Sequence, residues 1–346
     1  MSEAVPGADA TAPDAALVEA YDGVLVDLDG VVYVGPDAVA HAVEALNRAH
    51  GDGRGWAFVT NNASRPAVEV AEHLTELGLA VEQESVVTSA QVAAALVRDR
   101  FDAGSRVLVV GGPGVAIAVR EVGLEPTHSA DDDPVAVVQG FGKDVSWRHL
   151  LEATVAVRQG ALWVATNTDV VIPTERGTAP GNGTFVAAVR EATQVEPLVA
   201  GKPEPVAFSS AAHRIGSRRP LVIGDRLDTD IGGGNAAGFD TVLVLTGVHG
   251  PRHLLACPAS QRPVHVVEDL RGLFEPTPVV HADDGSARSG QAVVELVGGE
   301  LRPVGGGGHP VDLLRAALRL GWAAADDGRP VRVSEALTRR WSVFPD

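Results

Sequence analysis

Lysine is almost missing from this chain of 346 residues. Of its 28 basic side chains only Lys143 and Lys202 are lysines, and the others are arginines. A surviving lysine marks either a position that arginine's planar fork would not fill or a solvated surface site left by chance. Cysteine is nearly absent too: Cys257 stands alone, which excludes a disulfide framework and a cysteine-based zinc site. Aromatic residues make up only 4%, so the cores must be built from Val, Leu and Ala. Positive charge is short, with Lys+Arg 28 against Asp+Glu 45, and a net charge of −17 repels polyanions. Nucleic-acid binding driven by phosphate neutralisation is therefore disfavoured. Long apolar runs are lacking as well. The longest, Val107 to Val119, is broken by Gly111-Gly112-Pro113-Gly114 and is too short to cross a bilayer. The first twenty residues carry no positive charge and no apolar block, unlike a signal peptide. A soluble protein of a reducing, cytoplasmic compartment is expected.

What is present is alternation. After an Ala/Pro-rich leader, Val24-Leu25-Val26 is a short apolar run ending in Asp27, Asp29 and Gly30, as a buried strand would. A helical pattern over Ala38–His50 follows, then the strand WAFVT (Trp56–Thr60) and the polar turn NNASR. Ser64 can cap the next helix, Pro66 suits its first turn and Gly78 its C′ position. The same β-α rhythm continues through RVLVV, PVAVVQGF, LWVATN, LVAGKP, PLVIGD and TVLVLTGV, with TERGTAPGNG as a long loop. Parallel sheets with right-handed crossovers are expected. Eight or more such strands exceed one small sheet, so two α/β layers, one inserted into the other, fit better. The C-terminal part differs: a Pro/Asp/Gly-rich linker, a hairpin at AVVELVGGELRPV, an amphipathic helix over His309–Ala325 and a last strand in RPVRVSEAL. An α+β unit of about 60 residues is too small to stand alone with ease and should pack on the main body or on a second subunit.

Four carboxylates fall at strand ends: Asp27 and Asp29 after Val24–Val26, and Asp225 and Asp230 in GDRLDTD after Leu221–Ile223. In an open parallel sheet, ligands bind at the carboxyl edge. If both strands are central the acids converge, and two about 4 Å apart repel by about 4 kcal/mol at an effective dielectric near 20. Such a cluster persists by protonation or by holding a cation, and a hard all-oxygen site suits Mg²⁺. Taken singly, each Asp is equally well a helix cap or turn residue, as Asp228 and Thr229 illustrate. A calcium loop fails, because Val32 stands where glycine belongs and Ala38 where glutamate is required. The GGPG after VLVV lacks a dinucleotide fingerprint and reads as a turn. Phosphoryl transfer would need a nucleophile, a proton donor and neutralisation of the phosphoryl oxygens. Asp27, Asp29, and Thr60 with Asn61, Asn62 and Lys202 offer those three in turn.

DLDGVVYVG, TNNASR, GKPEP and GDRLDTDI, in that order, resemble the four motifs of the haloacid dehalogenase superfamily. The nearest likeness is to its cap-bearing phosphatase branch, which includes nitrophenylphosphatase-like and phosphoglycolate phosphatase-like enzymes. The likeness covers about Tyr21 to Phe274. It implies a Rossmann-like α/β core with a parallel sheet, an inserted α/β cap of the C2 type and, here, a small C-terminal α+β appendage. The corresponding division is a leader (1–16), a core in two parts (17–87 and 197–275), the cap (88–196), a linker (276–288) and the appendage (289–346). It also implies roles: Asp27 as nucleophile and metal ligand, and Asp29 as acid/base with its carbonyl on Mg²⁺. Thr60 and Lys202 would hold the phosphoryl group, Asp225 would complete the metal site, and Asp230 would support it through water. Arg65 could add local positive charge in an otherwise negative field.

Specificity in this branch is attributed to the cap, where Thr166, Asn167, Asp169, Glu175 and Arg176 are candidates; turn chemistry explains each of them at least as well. No aromatic platform for a base is evident, with Trp163 and Phe185 unplaced, which favours a small aliphatic phosphomonoester. Branch members of this composition and C-terminal extension include glycerol 3-phosphate phosphatases, so that ester leads, ahead of phosphoglycolate and nucleoside monophosphates. Relatives with this cap type are often homodimers. A non-catalytic sensor of a phosphorylated metabolite is the alternative, and four intact motifs argue against it. Gly305–Gly308 before a helix and the hairpin-helix-strand order faintly resemble part of an acetyltransferase; a connector and packing role, without acyl transfer, is the expectation. Cys257 is expected to be an inert thiol.

Overall fold

A computed structural model describes residues 15–174 and 176–346. The expected leader therefore falls almost wholly outside the described residues, as does Glu175.

The first strand, Gly23–Val26, is the middle of a six-stranded sheet in which every pairing is parallel. On one side the order runs through Gly55–Thr60 to Val86–Thr88. On the other it runs through Pro220–Gly224 and Asp240–Val244 to His265–Val267. The chain thus builds outward one way, departs, and returns on the opposite side of its first strand. That makes the crevice between 23–26 and 220–224 the topological switch point, where α/β sheets bind ligands. The register pairs Val26 with Ile223, and the Asp27 amide donates to the Ile223 carbonyl at 2.9 Å. Asp27 and Asp225 consequently leave neighbouring strands at the same edge. The central strands are near-continuous apolar runs because helices cover both faces: Val24, Leu25, Val26, Leu221, Val222 and Ile223 are fully buried.

Residues between these halves form a second parallel sheet in the order 198–199, 162–165, 136–139, 106–110, 125–127. Three details depart from the sequence reading here. The Leu198–Val199 strand pairs with Leu162–Ala165, so the cap sheet extends to Val199, past the expected boundary at 196. The expected loop TERGTAPGNG belongs instead to an antiparallel hairpin, Val171–Thr174 with Gly177–Pro180. The helix after NNASR begins at Ala67, with Pro66 extended at its N-cap, and the Ser64 hydroxyl turns back to Asn62 instead of capping. Gly78 does take the C′ place, at φ +101°, with Leu79 N–H on Leu74 O and Gly78 N–H on Thr75 O.

The GGPG segment has a role beyond turning the chain. Gly114 N–H donates to Ser64 O at 3.1 Å, and a Cβ on Gly114 would lie 2.6 Å from Ala63 O. Cap backbone therefore rests directly on the core loop that follows Thr60. One apolar cluster runs from Leu25, Ala57 and Val59 of the core into Val107, Val109 and Val164 of the cap.

The C-terminal unit is larger than a hairpin. A meander of 281–283, 286–289, 292–297 and 300–303 is extended by a parallel strand at 332–333, so strands occupy part of the expected 276–288 linker. Helix Pro310–Asp326 crosses this sheet, and a further helix, Glu335–Trp341, follows the last strand. Leu314, Ala317 and Leu318 of the long helix share one buried cluster with Leu243, Leu254 and Val266 of the core, so the unit packs on the main body. Arg315 donates to Val266 O at 2.6 Å, Trp322 to Leu254 O at 2.8 Å, and Arg262 pairs with Asp326 at 2.7 Å.

Near that seam, Tyr21 donates to Asp240 Oδ2 at 3.0 Å and lies 3.1 Å from His265 Nε2, which assigns the Nε2–H tautomer to His265. Burial lowers the His265 pKa to about 4, with Arg315 adding to the effect and Asp240 opposing it. The folded value lies below the unfolded one, so the unfolded chain binds the extra proton first. Stability from this group is complete above about pH 6.5 and is lost as pH falls towards 4, by up to about 2–3 kcal/mol. Chemical denaturation at pH 7 and pH 4.5 should show His265→Asn losing less stability on acidification than the parent chain, by about that amount.

Candidate active site

Three core strands end within reach of one another: 23–26 delivers Asp27, 220–224 delivers Asp225, and 55–60 ends in Thr60. Asp230 comes from a wide helical turn, Leu227–Ile231, and its Oδ2 accepts from Arg226 N at 3.1 Å. Carboxylate oxygens of Asp27, Asp225 and Asp230 lie within 4.8 Å of one another. Asp225 and Asp230 are fully buried and Asp27 nearly so. Lys202 reaches into this group from the turn after Leu198–Val199. Its Nζ is 2.7 Å from Asp230 Oδ1 and forms a second ion pair with Asp27 Oδ1. The ammonium is itself 96% shielded from solvent, at 4% exposure.

One buried cation facing three carboxylates leaves excess negative charge, and the ionisation equilibria register it. Loss of hydration, reinforced by Asp230, holds the Asp27 carboxyl well above the usual range despite Lys202. The same two causes raise Asp225. Burial disfavours charge on Lys202, yet Asp230 and Asp27 outweigh it and the lysine pKa rises. Asp225 Oδ2 accepts from Val248 N at 2.6 Å, but its Oδ1 is buried with no hydrogen-bond partner among the described residues. A buried orphan oxygen beside two further carboxylates is the donor set of a hard divalent cation, so the residues present fit Mg²⁺.

Asp29 stands apart from this trio. Its side chain is solvent-accessible but sits in a crowded cleft mouth, where lost hydration raises its carboxyl while Lys202, Arg65 and His73 pull it down. The chain then folds tightly back: Gly30 N–H bonds Tyr33 O at 2.9 Å and Thr246 Oγ1 donates to Gly30 O at 2.8 Å. The Thr60 side chain is buried, and its hydroxyl oxygen accepts from Asn62 N at 3.1 Å.

Of the two asparagines expected to hold phosphate, Asn61 is fully engaged in other bonds, and Asn62 is engaged through its Oδ1. Asn61 Oδ1 accepts from Lys202 N at 2.8 Å, and its Nδ2 donates to Lys202 O at 3.0 Å and to Asp169 Oδ2 at 3.1 Å. It fixes the backbone of the lysine and tethers the cap. Asn62 Oδ1 accepts from Ser64 N and Oγ at 2.9 and 2.8 Å, a local turn bond. From the cap, Asn167 Nδ2 donates to Asn61 O at 2.7 Å while its Oδ1 takes Asp169 N at 3.2 Å. Asn167 and Asp169 therefore meet the core loop directly. Thr166 is buried with its hydroxyl unpartnered, whereas Arg176 is exposed on the hairpin turn. Trp163 is buried and donates to Gln139 Oε1 at 3.1 Å, and Phe185 stacks near Phe141 with ring centres 6.4 Å apart.

Sequence reasoning missed the glycines that shape the cavity. A Cβ on Gly30 would lie 2.5 Å from Asp225 Oδ2, and one on Gly247 would collide with the same carboxylate. It also missed His73 and the Val248 amide. The run LTGVHG after Asp240–Val244 was the available signal, since a glycine just past a strand marks close backbone approach.

Comparison with known proteins places this geometry. The family described as haloacid dehalogenase-like hydrolase matches residues 24–125, and a HAD-hydrolase-like family matches 199–273. The chain belongs to the haloacid dehalogenase-like hydrolases. It is 41% identical over 345 residues to the D-glycerol 3-phosphate phosphatase of Mycobacterium tuberculosis, covering 95% of this chain and 96% of that one. A crystal structure of the glycerol phosphate phosphatase of that organism, in complex with magnesium, superposes with a TM-score of 0.81 at 40% identity, covering 95% of this chain and 100% of that one. The 5′-nucleotidase YutF of Bacillus subtilis is 34% identical over 256 residues, 73% of this chain and 97% of that one.

If Asp225 is held in place by the absence of side chains around it, Gly247→Ala should displace it. Titration calorimetry with Mg²⁺ should then show affinity reduced by at least about tenfold in a folded protein, the worth of roughly 1–3 kcal/mol of overpacking.

Proposed function

We propose that this chain is a Mg²⁺-dependent phosphatase of small phosphomonoesters, with glycerol 3-phosphate as its substrate. The observation that carries the reaction class is the buried Asp27–Lys202–Asp230 ion-pair group with the unpartnered Asp225 oxygen beside it. Asp27, the Asp29 carbonyl and Asp225 would hold the metal, with Asp230 supporting the site, and the ion when bound would supply positive charge to offset that of the carboxylates and the phosphoryl oxygens.

In the first half-reaction an Asp27 carboxylate oxygen attacks phosphorus, and the bond from phosphorus to the alcohol oxygen breaks. Asp29 gives its proton to the departing oxygen, and its raised pKa favours the protonated form which that role needs. In the second, water attacks the aspartyl-phosphate while Asp29 takes back a proton, releasing phosphate and the Asp27 carboxylate. Lys202 and the Thr60 hydroxyl hold the phosphoryl oxygens, and Asn61 keeps Lys202 in place.

Support for glycerol 3-phosphate comes from the relative that shares the full length, appendage included, which bears that substrate in its name. The 256-residue match to the 5′-nucleotidase leaves the rest of this chain unaccounted for. Trp163, shut inside the cap, offers no platform for a base. Asn167 and Asp169, which carry the cap onto the core loop, are our candidates for reading the alcohol. The reading also includes a cytoplasmic location, consistent with one unpaired cysteine and with no helix long and apolar enough to cross a membrane among the described residues. It includes self-association as well. Trp147 and Leu151 are exposed one turn apart on the cap helix Trp147–Arg158 and supply an apolar patch for it.

Phosphate release from glycerol 3-phosphate, phosphoglycolate and nucleoside monophosphates, with Mg²⁺ and with EDTA, tests the proposal. We expect metal-dependent turnover highest on glycerol 3-phosphate, none in Asp27→Asn, and kcat lowered by about 10²–10⁴ in Asp29→Ala. Equal turnover of all three substrates would remove the glycerol 3-phosphate assignment, and turnover in Asp27→Asn the covalent mechanism.

A further inference from the structure

A sizeable cavity lies away from the carboxylate cluster, in the C-terminal unit. It encloses about 890 Å³ between the hairpin turns at 283–285 and 298–299, the second half of the long helix, and the 329–332 segment. That volume lies in the range of small-molecule and cofactor sites.

Its lining combines positive charge with apolar surface. In a chain of net charge −17, three guanidinium groups, Arg319, Arg329 and Arg332, border one cavity. Arg329 pairs with Asp327 at 2.9 Å; Arg319 and Arg332 make no ion pair among the described residues. Some arginines elsewhere are neutralised locally, as in the Arg226–Asp228, Arg262–Asp326 and Arg302–Glu300 pairs. Unspent guanidinium forks match the oxygens of phosphate two at a time. Between them the wall is apolar, with Leu296, Leu320, Ala323 and Ala324. A bare anion would leave that surface uncovered, while an organic group of nucleotide size would cover it. Asp283 and Asp284, on the opposite rim, can accept hydrogen bonds from hydroxyl or amino groups. Gly285, Gly298 and Gly299 all adopt positive φ, at +81°, +58° and +79°, and keep these turns free of side chains.

We propose that this cavity is a second ligand site, distinct from the catalytic cleft, for a phosphate-bearing metabolite of nucleotide size. The phosphates lie among Arg319, Arg329 and Arg332, the organic body against Leu296 and Leu320, and hydroxyl or amino groups on Asp283 and Asp284.

Titration calorimetry with ATP, in EDTA and with the full-length Asp27→Asn chain to prevent turnover, tests the proposal. We expect saturable binding of one ATP per chain that weakens as salt rises. The Arg319→Ala/Arg332→Ala pair should weaken it by at least about tenfold, the loss of two charge-assisted contacts. In an otherwise unaltered chain the same pair should leave phosphatase kcat/KM unchanged, since neither residue touches the catalytic group. Both arginines are exposed, so the variant should fold, and its thermal unfolding verifies that. Three results would each overturn the proposal: no saturable binding up to about 5 mM ATP, a level weaker than most metabolite sites; ATP binding indifferent to the two substitutions; or inorganic phosphate binding as tightly as ATP.

Discussion

The ammonium of Lys202, held between Asp27 and Asp230 with almost no access to water, is the interaction on which the rest of the molecule depends. Three buried carboxylates against one cation are unstable as a closed set, and the price of that excess charge is visible in the raised Asp27 and Asp225 carboxyls. What the arrangement gains is a place prepared for further positive charge. The fold supplies the geometry: a parallel sheet whose order reverses beside Gly23–Val26 brings two acidic strand ends to one crevice. Asn61 supplies the precision, because it grips the Lys202 backbone through both its N–H and its C=O.

The same asparagine ties the lysine turn to the cap. Its carbonyl oxygen accepts from Asn167 and its amide reaches Asp169, both of which belong to the cap. Cap glycine backbone presses on the adjoining core loop at Ser64, so the cap is seated on the segment that follows Thr60. A change of cap position would therefore move the groups that place the lysine. On the proposed reading, substrate recognition and phosphoryl chemistry would be mechanically joined through Asn61.

Much of this was legible in the sequence, for a physical reason. Apolar runs ending in acids announce buried parallel strands, and Asp27, Asp225, Asp230 and Lys202 could be picked out by residue type and order alone. Less legible were features set by tertiary partners. Asn61 has the right chemistry to bind phosphate, but in the fold both ends of its side-chain amide are already occupied. Ser64 fits a helix cap until Asn62 Oδ1 outbids the helix for its hydroxyl. The hairpin at 171–180 and the strands near 281–289 lie in Gly- and Asp-rich sequence, where pairing comes from neighbours and not from propensity. Glycines such as Gly247 carry no side-chain signal, and their meaning emerges only when Asp225 is seen against them.

The central claim is that the carboxylate cluster trades stability for metal binding, and Asp225→Asn tests it most directly. Thermal and chemical unfolding should be measured for both proteins, with and without Mg²⁺. Removing one charge from the cluster should raise the stability of the metal-free protein, by about 1–2 kcal/mol, and abolish the stabilisation that Mg²⁺ gives the parent. A metal-free variant less stable than the parent, or one that still responds fully to Mg²⁺, would contradict the account.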